Sequence, residues 1–132
     1  GFSIENTERP QLFIGSGVGM TPLVSMFKKA ASLNVPTQMI QAVVTEDERP
    51  FAQKLDSITD NYEQAQLHLH VKDKEGYLEA KELEQYLSEQ PEIYICGGTK
   101  FLHSIINSLK ELNYDMNHVH FETFIPRLSV QV

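Results

Sequence analysis

A chain of 132 residues, 41% apolar and 22% charged, has room for one buried core and none of the bias of a disordered or fibrous segment. Its net charge of −7, with no block of Lys or Arg, argues against a nucleic-acid partner, and no apolar run reaches the length of a membrane span. A single cysteine rules out an internal disulfide and suits a reducing, cytoplasmic setting.

Apolar runs alternate with helix-like stretches along the chain. Gln11 to Ile14 reads as a buried strand that ends in glycine. Leu23, Met26, Phe27, Ala30 and Leu33 then recur at helical spacing, and Asn34 and Pro36 stop that helix. Met39 to Val44 predicts a second strand, and Pro50 to Ile58 a weaker helix with proline at its start. Leu67, Leu69 and Val71 alternate with His68 and His70, the pattern of a half-exposed third strand. Glu79 to Ser88 is rich in helix formers, with Leu83 and Leu87 as its buried stripe. Ile93 to Cys96 is a fourth strand closed by Gly97 and Gly98. Phe101, Leu102, Ile105, Ile106 and Leu109 line one face of a further helix, and Val119, Phe121 and Thr123 give the inner face of a last strand. Such alternation predicts an α/β fold, a three-layer doubly wound sandwich around a parallel sheet. Sheets of this kind bind ligands outside the carboxyl ends of their strands, so the residues after each strand carry the functional signal.

Three segments stand out there. Gly15, Ser16, Gly17, Val18, Gly19, Met20, Thr21 and Pro22 follow the first strand. Glycines at such a turn let backbone N–H groups approach a ligand, and the helix behind them favours an anion such as a diphosphate. The order of residues fits neither a Walker loop nor the usual dinucleotide fingerprint, and a bare strand–helix turn has the same look. Cys96, Gly97 and Gly98 put a thiol beside open space, although a lone cysteine also serves simply as a small apolar side chain. Near the chain end, Glu122 and Phe124 share one strand face, either as a cover for a flat conjugated ligand or as an exposed amphipathic edge. The pairs His68 and His70, and His118 and His120, lack a third ligand at metal-site spacing and read as solvent-facing strand residues, so no metal is expected.

In register, the three segments resemble the NAD(P)-binding domain of the ferredoxin–NADP reductase superfamily, and most of all the C-terminal domain of the flavohaemoglobins, the nitric oxide dioxygenases. That family carries a Gly-Gly-x-Gly-x-Thr-Pro loop after the first strand, Cys-Gly-Pro after the fourth and a terminal Glu-x-Phe. The matching residues are Ser16 to Pro22, Cys96 to Gly98 and Glu122 to Phe124, and the agreement runs from Gln11 to Pro126. The resemblance implies five parallel strands in the order 3-2-1-4-5. It implies that the Gly17–Thr21 loop takes the diphosphate and ribose of NADH, and that Cys96 and Glu122 lie at the hydride-transfer site. Gly97 and Gly98 would keep the nicotinamide's stacking space clear and Phe124 would lie against the flavin ring, with Phe101, Thr123, Ile125 and Pro126 as further cofactor-binding residues. FAD would be held mainly by a preceding flavin-binding barrel of the same polypeptide, with haem or an iron–sulfur centre as the downstream acceptor.

Departures are plain. Gly98 stands where the family has proline, and Arg127 to Val132 form a tail with no counterpart. The barrel's Arg-x-Tyr-Ser motif is missing, so residues 1–126 are expected to be the reductase domain of a longer flavoprotein. Thr45 and Glu46, after the second strand, are expected to meet the adenosine ribose. Thr45-Glu46-Asp47-Glu48 presents three carboxylates with Arg49 as the nearby cation, which favours NADH over NADPH. A non-catalytic module that senses NADH is the alternative reading.

Overall fold

The structure is a computed structural model that describes residues 2–123. Five strands, β1 (Gln11–Ser16), β2 (Thr37–Val43), β3 (Ala65–Val71), β4 (Glu92–Gly97) and β5 (Val119–Thr123), form one sheet. All neighbours pair in parallel, in the order β3-β2-β1-β4-β5. The expected three-layer α/β architecture and strand order are therefore present. Helices α1 (Met20–Ser32) and α2 (Ala52–Asn61) cover one face, packing Leu23, Phe27 and Leu55 against Phe13, Met39 and Tyr94. A four-residue turn of helix, α3 (Lys72–Glu75), follows β3 directly. The short α4 (Ala80–Leu83) and the long α5 (Thr99–Glu111) cover the other face, where Leu83, Ile105 and Leu109 meet Leu12, Ile40 and Ile93. Among the described residues, no helix is long and apolar enough to cross a membrane.

Strand β4 lies inside the sheet and is buried at all six positions, which is why it reads as a continuous apolar run rather than an alternating one. Helix α1 ends where Asn34 takes a left-handed conformation with φ 60°. Four expectations need correction. The helix expected over Glu79 to Ser88 is α4 followed by a tighter turn at Glu84–Tyr86. A capping box between Glu79 and Glu82 starts it, and Gln90, left-handed at φ 52°, with Pro91 then swings the chain into β4 before another turn can form. Leu33, expected on the buried stripe, caps α1 and is exposed. Val44 lies beyond β2 and is also exposed. The strand alternation has Phe121 facing the core with Val119. Val119 does join the α5 cluster, but Phe121 is 53% exposed, because β5 is an edge strand that the apolar cluster under α5 reaches only at Val119.

The amino end of the sheet is closed by side chains. Tyr94 donates its hydroxyl to the Glu5 carbonyl at 2.9 Å, and burial pushes its pKa up to about 12. Gln11 donates to the carbonyls of Asn6 and Arg9 at 3.2 and 2.8 Å. The buried Glu92 carboxylate receives His118 Nδ1 at 2.9 Å and His120 Nε2 at 2.6 Å, with Arg9 Nε at 3.5 Å.

Candidate functional site

At the carboxyl end of the sheet, backbone packs against backbone. After Ser16 the chain turns through Gly17, at φ +53°, into a single 3-10 turn, and α1 begins at Met20. A Cβ on Gly19 would stand 2.6 Å from the Cys96 carbonyl oxygen and 2.8 Å from the Gly97 Cα, so only glycine lets the loop seat on the end of β4. Gly97 is equally confined, between the Phe101 ring and Ser16 Oγ. The loops after β1 and β4, separated by about eighty residues in sequence, thus form one continuous floor. No side chain caps the start of α1 or of α5; the Met20 N–H is taken by the carbonyls of Gly17 and Val18, whereas α5 opens at the floor with its first turn uncapped.

A cleft of about 910 Å³ opens beside it. Ser16 and Gly17 line it from β1, Ala42 to Val44 from β2, and Asp47 to Pro50 from the following loop. His70, Lys72, Gly76, Tyr77 and Leu78 close it on the β3 side, and Lys100, Phe101 and Ser104 on the α5 side. Several expected site residues do not reach this space. Gly15 lies within β1, and a Cβ there would strike Leu23 and Met20 at 2.7 Å, so it serves close helix packing. Met20 is fully buried in the core, while Val18 and Thr21 are exposed outside the cleft lining. Pro22 is half-buried in the first turn of α1, away from the lining. Thr45 and Glu46 do not line the cleft either, because Glu46 turns aside to pair with Lys74 of α3. Asp47 and Glu48 stand there instead.

The expectation that Arg49 is the nearby cation is corrected in the same way. Lys72 and Lys100 also line the cleft. Arg49 is engaged by Asp56 at 3.0 Å, and Lys72 sits 4.5 Å from the centre of the Tyr77 ring, a cation–π distance. Applying the strand-end rule to Val71 as well as to the other strands would have found Lys72 from sequence.

Cys96 and Glu122 are register partners across β4 and β5. Burial pushes the Cys96 thiol above its ordinary pKa and the Glu122 carboxylate adds to the shift, so the sulfur is held as a neutral thiol. Such a group offers a compact apolar edge rather than a nucleophile. Thr123 pairs with Gly97, while Phe124, Ile125 and Pro126 lie outside the described residues. Gly98 is exposed and open, and a Cβ added there would have no atom within 4 Å.

The histidines are not solvent-facing, as the sequence pattern suggested. His70 is buried against the Gly76 carbonyl at 2.9 Å, and His68 meets Gln38 at 2.7 Å under the Tyr86 ring, because the α3–α4 segment folds over that face of β3. Among the described residues, no group of His, Cys, Asp and Glu is arranged to hold a metal.

A parallel doubly wound sheet with a glycine floor and a cleft across its switch point defines a nucleotide-binding domain. Residues 13–106 match the family described as the oxidoreductase NAD-binding domain, and the chain belongs to it. Flavohemoprotein B of Dictyostelium discoideum is 27% identical over 98% of this chain, which spans 34% of that protein's length. Among solved structures, the flavohem-like FAD/NAD binding domain of nitric oxide dioxygenase from Vibrio cholerae superposes with a TM-score of 0.77. It is 24% identical and covers 95% of this chain and 54% of its own. Flavohemoglobin from Malassezia yamatoensis, with bound FAD and heme, gives 0.79 at 19% identity, covering 91% of this chain and 33% of its own. The fold is that of the pyridine-nucleotide domains of ferredoxin reductase-like flavoproteins.

Proposed function

We propose that this chain binds NADH and presents it to FAD held mainly by a neighbouring flavin-binding domain, as part of a flavohaemoglobin-like nitric oxide dioxygenase with haem as the electron acceptor. The observation that carries the reading is the 910 Å³ cleft beside the glycine floor, lined by Ser16 and Gly17 after β1, by the end of β2 and its loop, and by Lys100 and Phe101 of α5. When bound, NADH supplies the hydride and FAD accepts it.

The residues of the chain bind and orient. The exposed turn at Gly17 and Val18 and the uncapped start of α5, with Lys100 beside them, suit the diphosphate. Phe101 lines the cleft beside the end of β4, where the neutral Cys96 thiol and its register partner Glu122 lie, and that end suits the nicotinamide. Tyr77, 67% exposed at the cleft mouth, offers an aromatic face to the adenine end. Preference for NADH over NADPH is supported by Asp47 and Glu48 in the wall and by the engagement of Arg49 with Asp56. A cytoplasmic setting accords with the free, buried thiol.

Calorimetric titration of this chain with NADH and NADPH tests the proposal. NADH is expected to bind measurably and more tightly than NADPH. Tighter binding of NADPH removes the cofactor preference, and the absence of binding by either removes the proposal.

A further inference from the structure

Gln41 is an amide held at 0% exposure near the carboxyl end of β2, in register with Gly15 of β1 and Leu69 of β3. A buried amide needs partners, and those of Gln41 lie in one place. Its Nε2 donates to the Pro50 carbonyl at 2.9 Å, and its Oε1 accepts a longer contact from Arg49 Nε at 3.5 Å. The other arm of the Arg49 guanidinium donates to Asp56 of α2 at 3.0 Å. Two successive loop residues are thus tied to a single side chain of the sheet.

The next residue is strained. Phe51 caps α2 in the left-handed region, at φ 62° and ψ 24°, a conformation that bulky side chains rarely adopt. Such a conformation persists where its surroundings over-determine it. Packing does not supply that constraint, since the Phe51 ring is exposed and belongs to neither core cluster. The hydrogen bonds do: Gln41 pins the carbonyl before Phe51, and the Leu55 amide takes the Phe51 carbonyl at 2.9 Å.

We infer that Gln41 is a positioning residue for the dinucleotide, holding the left-handed turn at Phe51 so that Asp47 to Pro50 stand as one wall of the cleft. The inference rests on the reading of the cleft as a dinucleotide site. Its effect is indirect, because Gln41 itself does not line the cleft.

The test uses Gln41→Met, which keeps length and volume and removes both hydrogen bonds, with ADP-ribose as the probe because it lacks the nicotinamide. Binding of ADP-ribose is expected to weaken about tenfold, the scale of one lost buried hydrogen bond. Amide hydrogen exchange should accelerate over residues 47–51 while β1 and β4 keep their protection. Glycine occupies the left-handed region without steric penalty, so adding Phe51→Gly to Gln41→Met should recover most of the lost affinity and protection. A residue that merely filled the core would show no such rescue. Where Gln41→Met does not fold, Gln41→Asn, with its amide one methylene short of Pro50, carries the same readouts. Unchanged affinity and exchange, or a loss that Phe51→Gly leaves intact, overturns the inference alone. Failure of the unaltered chain to bind ADP-ribose overturns the dinucleotide reading and the inference together.

Discussion

The two ends of the sheet are built on opposite principles. At the amino end, buried polar side chains are tied down, Glu92 by His118 and His120, Gln11 and Tyr94 by backbone carbonyls, although Arg9 Nε, Gln11 Oε1 and Thr37 Oγ1 lack a hydrogen-bond partner. At the carboxyl end, side chains are withdrawn, and Gly17, Gly19 and Gly97 leave backbone N–H groups without side-chain caps. The contrast separates stability from recognition. One end is held by side-chain contacts, and the other is the end proposed to meet the dinucleotide.

Breaking the amino end should therefore cost stability and spare binding. Glu92→Ala removes a buried carboxylate shared by three cationic or polar partners, and its partners remain partly solvated. A loss of about 2–3 kcal/mol in urea unfolding is expected, with dinucleotide affinity in the folded protein unchanged. If affinity falls in step with stability, the separation does not hold.

Breaking the carboxyl end should do the reverse. Gly19→Ala forces a methyl group against the Cys96 and Gly97 backbone, which cannot rotate away as a side chain can. The expected cost is about 1–3 kcal/mol, accompanied by a loss of NADH binding of roughly tenfold or more. Calorimetry beside thermal unfolding separates the two effects. Full affinity in the variant would detach the loop from the ligand.

A smaller effect of opposite sign is expected at Gly98. Its φ of −69° lies where proline is fixed, Gly97 before it is extended strand, and no atom stands within 4 Å of an added Cβ. Gly98→Pro should raise stability by about 0.4–1 kcal/mol by restricting the unfolded chain. A lower melting temperature would show that the Gly98 amide has a native role. The smallest effect belongs to His68, whose pKa burial lowers from the ordinary 6.5. The unfolded chain then binds a proton that the folded chain resists, so His68 makes stability fall as pH drops below 6.5. His68→Gln should flatten the melting temperature between about pH 7 and pH 5 relative to the unaltered chain, and an unchanged slope would assign that dependence to other groups.

The layered fold is legible because five strand-like runs, the first four each followed by a turn signal and a helical stripe, admit few arrangements. Misreadings fall where burial depends on distant elements. The alternation in β5 places Phe121 inward, but an edge strand is covered only as far as its neighbouring helix extends. His68 and His70 look solvent-facing until α3 and α4 fold over β3. For the site, the glycine turns are visible, whereas their reason is not: Gly15 serves Leu23 and Met20, Gly19 serves β4, and only Gly17 requires a left-handed φ. Lys72 and Lys100 each follow a strand end, which is legible, but that they share one cleft from segments 28 positions apart depends on the strand order.

The contact of Gly19 with Cys96 and Gly97 also bears on how such a site can diversify. Position 19 rejects a Cβ because backbone stands in its way, whereas at 15 and 97 neighbouring side chains would have to shift, so the floor is most closed to mutational drift at Gly19. The wall from Asp47 to Pro50 and the segment from Lys72 to Tyr77 are under no such constraint, being partly or wholly exposed and joined to the sheet by few side chains. A change of cofactor should therefore evolve, or be engineered, at that rim. Selection from a library randomised at 47, 48 and 72 should yield altered nucleotide preference, while randomisation at 19 should return glycine.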